Sequence, residues 1–441
     1  MVTAIDGLVS GLDTTSLINS LMQVEAIPQT QLKARVSAAQ TMITALQGLN
    51  TQVAALADLA KTAAKPAALD LYSATSSSTG VTVTTSTGAA AGQLDLVVGR
   101  LAQTQVMVSG PVTAWPDTNL TVTRADGTAT TVTGASTSLD DMVSAVNAAG
   151  AGVIATKVAV GVDGFRLQFT ATASGAAAGV TISGTTVPMT QTQAAQDAEV
   201  TLWAGTAAEQ KITSATNTFA GILPGMTLTV SAVSVDPVSI TVARDDAQIS
   251  TRAADLVTAL NGVFATITAR TTVSTTTNSS GISRTTAGLF SGDSTIRDTK
   301  QRILSAASLP VNGRSPSEYG ISISRLGTME FDPARFAAAL AKDPATVKAA
   351  VTEIAARVAA AATTASDRYD GQLTQKITGE QSTVRNLGDR IADWDRSLAT
   401  RRATLQSTYT ALETQLSALK AQSSWLSAQV AGLPSSNSTT G

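Results

Sequence analysis

Neither histidine nor cysteine occurs anywhere in the 441 residues. Without them the usual ligands of zinc, copper and iron–sulfur centres are missing. The Ser-His-Asp and Cys-His arrangements go with them, and so does most general-base chemistry. Disulfides play no part in the fold, which suits either side of a membrane. Excess charge is lacking too: 30 Lys and Arg stand against 32 Asp and Glu, for a net charge of −2. A nucleic-acid binder neutralises phosphates with a basic surface, so no nucleic-acid partner is expected. The pair Arg401-Arg402 reads as a solvated helix face. No apolar run reaches the roughly 20 residues a spanning helix needs, so no membrane partner is expected. The start, Met1-Val2-Thr3-Ala4-Ile5-Asp6, has neither a basic nor an apolar signal region. No cleavable signal peptide is therefore expected.

Chemistry built on carboxylates alone stays open in principle, since paired Asp or Glu can do acid/base work. The adjacent pairs Asp140-Asp141 and Asp245-Asp246 read instead as helix starts, where carboxylates cap backbone N–H groups. Calcium loops, phosphate-binding loops and the dinucleotide fingerprint are absent. No catalytic residue, cofactor site or metal ligand is assigned, and the chain is not expected to be an enzyme.

What is present falls into three zones. Residues 1–70 read as helix, 73–243 as Thr- and Val-rich strands, and 247–431 as helix with one β-hairpin. The fold class is α+β and multidomain: a helical or coiled-coil stem from both termini, a helical body, and antiparallel β-rich heads inserted between them. Asp13 caps a helix carrying Leu17, Ile18, Leu21 and Met22 on one face, and Pro28 kinks or ends it. Met42, Leu46, Leu49, Val53, Leu56 and Ala60 then step by fours and threes, a heptad pattern. Near the other end, Ile377, Val384, Ile391, Leu398, Leu405, Leu412, Leu419 and Leu426 recur at every seventh position. A period of seven held this long makes helices supercoil. Gly379 and Gly388 predict a break in its early part. The seam packs on the N-terminal heptads, on another chain, or on both.

In the middle, Leu120–Arg124 and Thr128–Thr133 flank the turn Asp126-Gly127. Ser138 caps a short helix, with Asp141 placed for a capping box. Two strands then flank Asp163-Gly164, with Phe165, Leu167 and Phe169 alternating toward a core. The polar stretch Thr271–Thr286 reads as a mobile loop, and Ile321–Phe331 as a hairpin turning at Arg325-Leu326-Gly327. Asp332-Pro333 and Asp343-Pro344 open two helices, and the tail Pro434–Gly441 reads as disordered.

Several segments resemble the flagellar filament cap family, the hook-associated protein 2 proteins. They are Ile5-Asp6-Gly7-Leu8-Val9-Ser10-Gly11-Leu12-Asp13 with Leu21-Met22 and Ile27-Pro28, and Leu289 through Arg297. Tyr319-Gly320-Ile321 through Gly327-Thr328 to Phe331-Asp332 is a third, and Gln422-Ser423-Ser424-Trp425-Leu426 a fourth. The β-β-α-β-β unit at 120–183 is similar to a module of flagellins and caps. The resemblance implies a homo-oligomeric ring at the distal filament tip, outside the cell, commonly a pentamer with other counts open. Flagellin would fold beneath it, and export would use the flagellar type III machinery and its chaperone. The domain division expected is a leg, 1–40 with 400–441; a body, 41–72 with 245–399; a β head, 73–111 with 190–244; and a second β head, 112–189.

A cap must hold on while its legs release one at a time, so each leg contact should be modest. Burial along a narrow seam at about 25 cal/mol per Å² meets that need. Leu12, Leu17, Leu21, Leu419, Trp425 and Leu426 are the expected oligomer or filament contacts. For Trp425 an intramolecular core position is an equal alternative. Two other functions stay open: another axial flagellar protein (a hook–filament junction subunit or a flagellin), and a β-rich adhesin on a coiled-coil stalk.

Overall fold

The computed structural model describes residue 11 and residues 13–161 and 164–431. The chain forms two compact units, one from the residues up to Ala64 and from Ala254 onward, the other Lys65–Ala253.

Helix α1 (Thr14–Glu25) opens on Asp13, whose Oδ1 accepts from the Ser16 N–H at 2.7 Å. It ends at Ala26, and Pro28 lies in the first turn of α2 (Ile27–Ala63), where a missing N–H costs nothing. The heptad row of α2 is the inner face of the first unit: Leu46, Leu49, Val53, Leu56 and Ala60 are all buried.

The second unit carries two separate cores. A five-stranded antiparallel sheet runs in the order Tyr72–Ser76, Val238–Arg244, Gly92–Arg100, Ala198–Leu202, Gln210–Ser214. With the three-stranded sheet Thr218–Ala220, Met226–Val230, Val81–Thr85 it shares a core that includes Leu96, Val200, Leu228 and Ile240. At the Leu223-Pro224-Gly225 turn, Gly225 takes φ +65°, and a Cβ there would sit 2.4 Å from the Ala89 nitrogen. No other residue fits.

The other core lies between two sheets and α3 (Leu139–Ala148). One is four-stranded (Met189–Gln193, Thr104–Ser109, Phe165–Ser174, Val153–Ala159) and one three-stranded (Ala129–Thr133, Asn119–Arg124, Val180–Ser183). Trp115 and Phe169 meet edge to face here, with centroids 6.2 Å apart. Leu167 and Phe169 point inward as the alternation predicts, but Phe165 is exposed, with the Lys157 ammonium 4.9 Å above its ring. Ser138 caps α3 through the Asp140 N–H, whereas Asp141 accepts from the Ser136 hydroxyl instead of closing a capping box. Of the second turn expected in this module, Asp163 lies outside the described residues.

Asp245 opens α4 (Asp246–Thr271), its Oδ1 accepting from the Gln248 N–H at 2.8 Å. Arg244 grips the Asp246 carboxylate with two donors, one of them at 2.9 Å. These hydrogen bonds hold the Asp246 carboxyl below its ordinary pKa, against the opposing push of burial. A carboxyl depressed in the native state stabilises the fold above its unfolded value and loses that contribution as the pH falls through its native one. Asp246→Asn should therefore unfold at lower urea than the parent at pH 7, with the gap closing below about pH 4. The two side chains are partly solvated, so the effect is small.

The remaining helices are α5 (Ser294–Ser308), α6 (Pro333–Lys342), α7 (Pro344–Ser366) and α8 (Gln372–Ala431). Asp293, Asp332 and Asp343 cap α5, α6 and α7, the last two with proline in the first turn. Asp293 also meets the Lys376 ammonium at 2.9 Å. Helices α2, α7 and α8 pack together, and α5 lies on α7.

Two expectations are corrected. Helix α8 runs 60 residues without the break foreseen at Gly379 and Gly388. Both glycines are exposed, and the packing of Ile377 and Leu387 in the same stretch outweighs their weak helix preference. The stretch Thr271–Thr286 is an antiparallel hairpin, Ser274–Thr277 against Ser283–Thr286, and not a loop. Threonine's branched Cβ favours extended backbone. The Asn278 side chain folds the turn by accepting from the Ser280 and Ile282 N–H groups at 3.1 and 2.9 Å.

Candidate assembly surface

Helix α1 is apolar on two faces. Thr14, Ile18 and Met22, at steps of four, are buried, and α1 lies on α8. Leu17 and Leu21, one turn apart, are exposed, together with Val24 and Ile27. The sequence pattern placed Leu17, Ile18, Leu21 and Met22 on one face; the structure splits them. Adjacent pairs four apart satisfy helical spacing in either pairing, and only the position of α8 decides between them.

Polar side chains fix the register of α1 and α2 on α8. Gln29 donates to Asp395, the Arg401 guanidinium lies 3.6 Å from the Glu25 carboxylate, and Arg402 donates to Asn19 Oδ1 at 2.6 Å. The two arginines are thus engaged within the first unit, on a largely solvated face. The packing is incomplete: a cavity of about 50 Å³ remains, lined by Thr14, Ile18, Asn19, Arg402 and Tyr409 among others.

Beyond that point α8 continues with its apolar residues uncovered. Leu412 is 44% exposed, Leu419 61%, Trp425 63%, Leu426 59% and Val430 63%. Every residue from 417 to 431 is exposed. The core alternative for Trp425 is set aside by this exposure. Leu419 and Leu426 lie in one row, with Leu412 above them, seven residues apart. Leu12 lies outside the described residues. Val24, Ile27, Leu412 and Val430 are also exposed though they were not among the expected contacts, and of these Leu412 belongs to the seven-residue seam read from the sequence.

An exposed leucine gains about 1.5–3 kcal/mol when fully buried, so covering these rows would release free energy without any reactive group taking part. Among the described residues, no group of three or more Asp or Glu could hold a metal ion. No described helix is long and apolar enough to cross a membrane.

Comparison with known proteins gives matches at both ends. Residues 10–105 match the family model for the flagellar hook-associated protein 2 N-terminus, and residues 195–421 that for its C-terminus. The flagellar hook-associated protein 2 of Escherichia coli O157:H7 is 26% identical over 373 residues, covering 76% of this chain and 77% of its own length. That of Escherichia coli strain K12 is 26% identical over 376 residues, with the same coverage. The crystal structure of the flagellar cap protein FliD D1-D2-D3 domains from Escherichia coli superposes with a TM-score of 0.52 at 25% identity. It covers 80% of this chain and 99% of the crystallised one.

Proposed function

We propose, because the chain belongs to the flagellar hook-associated protein 2 family, that it caps the distal end of a bacterial flagellar filament and works outside the cell. It is a structural and assembly protein rather than an enzyme, with no cofactor. Copies join into a homo-oligomer seated on flagellin, and the cap helps exported flagellin fold and insert. The ring is a pentamer or a neighbouring count. The chain reaches the tip by the flagellar type III route with its chaperone.

The observation that carries this reading is the pair of uncovered apolar rows on α1 and α8. Leu17, Leu21, Leu419, Trp425 and Leu426, with Leu12, form the leg that touches flagellin or a neighbouring copy. Each contact is worth little and all together hold, which allows one leg to step while the others stay docked. The leg, 1–40 with 400–441, serves the body, 41–72 with 245–399. Two separate cores in the β-rich part support two heads, drawn from the sequence as 73–111 with 190–244 and 112–189, and strands Thr104–Ser109 and Met189–Gln193 pack with the core of the second.

Purified chain should form small closed rings by electron microscopy and seat at one end only of pre-formed filaments. A junction subunit or a flagellin would add a collar or polymerise into a filament. An adhesin would leave filament ends bare, and that outcome sinks the cap.

A further inference from the structure

The hairpin between α4 and α5 does no work inside its own chain. All eight residues of strands Ser274–Thr277 and Ser283–Thr286 are exposed, as are Val273 (53%) and Ile282 (66%) beside them. Two strands with nothing packed on either face are marginal in water. Yet the root is fixed. A Cβ on Gly288 would lie 2.3 Å from the Arg270 carbonyl oxygen, the Phe290 N–H donates to that oxygen at 2.8 Å, and Phe290 is 1% exposed. A rigidly rooted arm with bare faces is built to meet something else.

Its complement lies in the same unit. The hairpin Ile321–Ile323 with Met329–Phe331 is clamped to α4 by Asn261, which accepts from the Met329 N–H at 2.8 Å and donates to its carbonyl at 2.7 Å. Ile321 and Met329 are buried, so the paired residues Ser322 and Glu330 take the outward face. The only charge on these strands is Glu330; the only charge on the arm is Arg284. Neither is in an ion pair among the described residues. Alternation puts Ile282, Arg284 and Thr286 on one face of the arm, and the second hairpin ends in Leu326, 88% exposed.

We propose that the arm docks on a second copy of this chain. The Ile282–Arg284–Thr286 face of one copy lies on the Ser322–Glu330 face of the next, Arg284 pairs with Glu330, and Ile282 lies toward Leu326. A closed ring needs such a head-to-tail contact, in which two different patches meet at every junction. Arg325 at the hairpin tip repels Arg284 and so sets the register toward Glu330. This contact rests on the ring-forming reading above.

Arg284→Glu and Glu330→Arg, alone, should each raise the concentration for half-assembly about tenfold by analytical ultracentrifugation, because like charges then face each other at every junction. The double variant should return to within about twofold of the parent. An equimolar mixture of the two single variants should also recover wherever the two alternate, at every junction of an even-membered ring and at all junctions but one of an odd-membered ring, which only a contact between copies explains. Both side chains are exposed, and unchanged circular dichroism melts confirm folding. Rings indifferent to the single changes, or a double variant that is not rescued, overturn the arm contact alone. Intact rings with reduced flagellin incorporation overturn it as well, by making flagellin the occupant. A parent chain that stays monomeric overturns the cap along with the arm.

Discussion

Cells whose chain stops at residue 414 should build no full-length filament and should release flagellin into the medium. The cut removes Leu419, Trp425, Leu426 and Val430, all more than half exposed, so no described core is opened by it. The body should fold as before and, in the proposed assembly, still join neighbouring copies. What it lacks is the adhesive row, worth about 1.5 kcal/mol or more for each side chain that becomes fully buried. With several legs per ring the losses multiply, and a cap without them should fall from the tip. Motility on soft agar, filament length by microscopy and flagellin in the culture supernatant all read the outcome. Filaments of parental length from cells making the shortened chain would remove the leg assignment. A gentler form, Leu419→Ser with Leu426→Ser, should shorten filaments without abolishing them.

Phe336→Ala should destabilise the body by about 3–5 kcal/mol, the largest effect expected of any single substitution discussed. Phe336 on α6 is 0% exposed, and its ring lies 5.3 Å from that of Phe331. The deletion leaves a hole that neighbours cannot fill. Gly320, at φ +77°, already brings its backbone against Asp332 and Phe336, so this corner has little room to relax. Phe331 closes the hairpin that presents Glu330, and the loss should therefore reach assembly as well as stability. Urea unfolding measures the first and sedimentation the second. Phe336→Leu, which keeps most of the volume, should lose less than half as much. Equal losses for both substitutions would mean that ring packing, not cavity volume, governs the site.

Long periodic rows and helix starts were legible in the residues. The α2 heptads emerge as the buried face of that helix, and Asp13, Ser138, Asp332 and Asp343 cap as their types suggest. Local signals failed where a distant partner decides. Nothing within α1 says whether Ile18 or Leu17 faces inward; α8 does. The hairpin at Ser274–Thr286 escaped because strands are recognised by apolar alternation, and its alternating residues are almost all hydroxyl-bearing. Gly379 and Gly388 misled because their helix penalty is intrinsic, while the compensating contacts come from other helices. For the assembly surface, the apolar row of α8 could be read from spacing alone. That it stays uncovered could not, since exposure depends on where the companion helices stop.

One uninterrupted helix has a mechanical consequence. At about 1.5 Å per residue, α8 spans about 90 Å of continuous backbone hydrogen bonding. Such a bar acts as a lever: tilting its braced end by about 5° swings the free end by about 8 Å, more than the 5.4 Å pitch of a helical turn. Small rearrangements among α2, α7 and the first turns of α8 are thereby geared up at Leu419 and Leu426. A flexible joint at Gly379 or Gly388 would have absorbed that stroke.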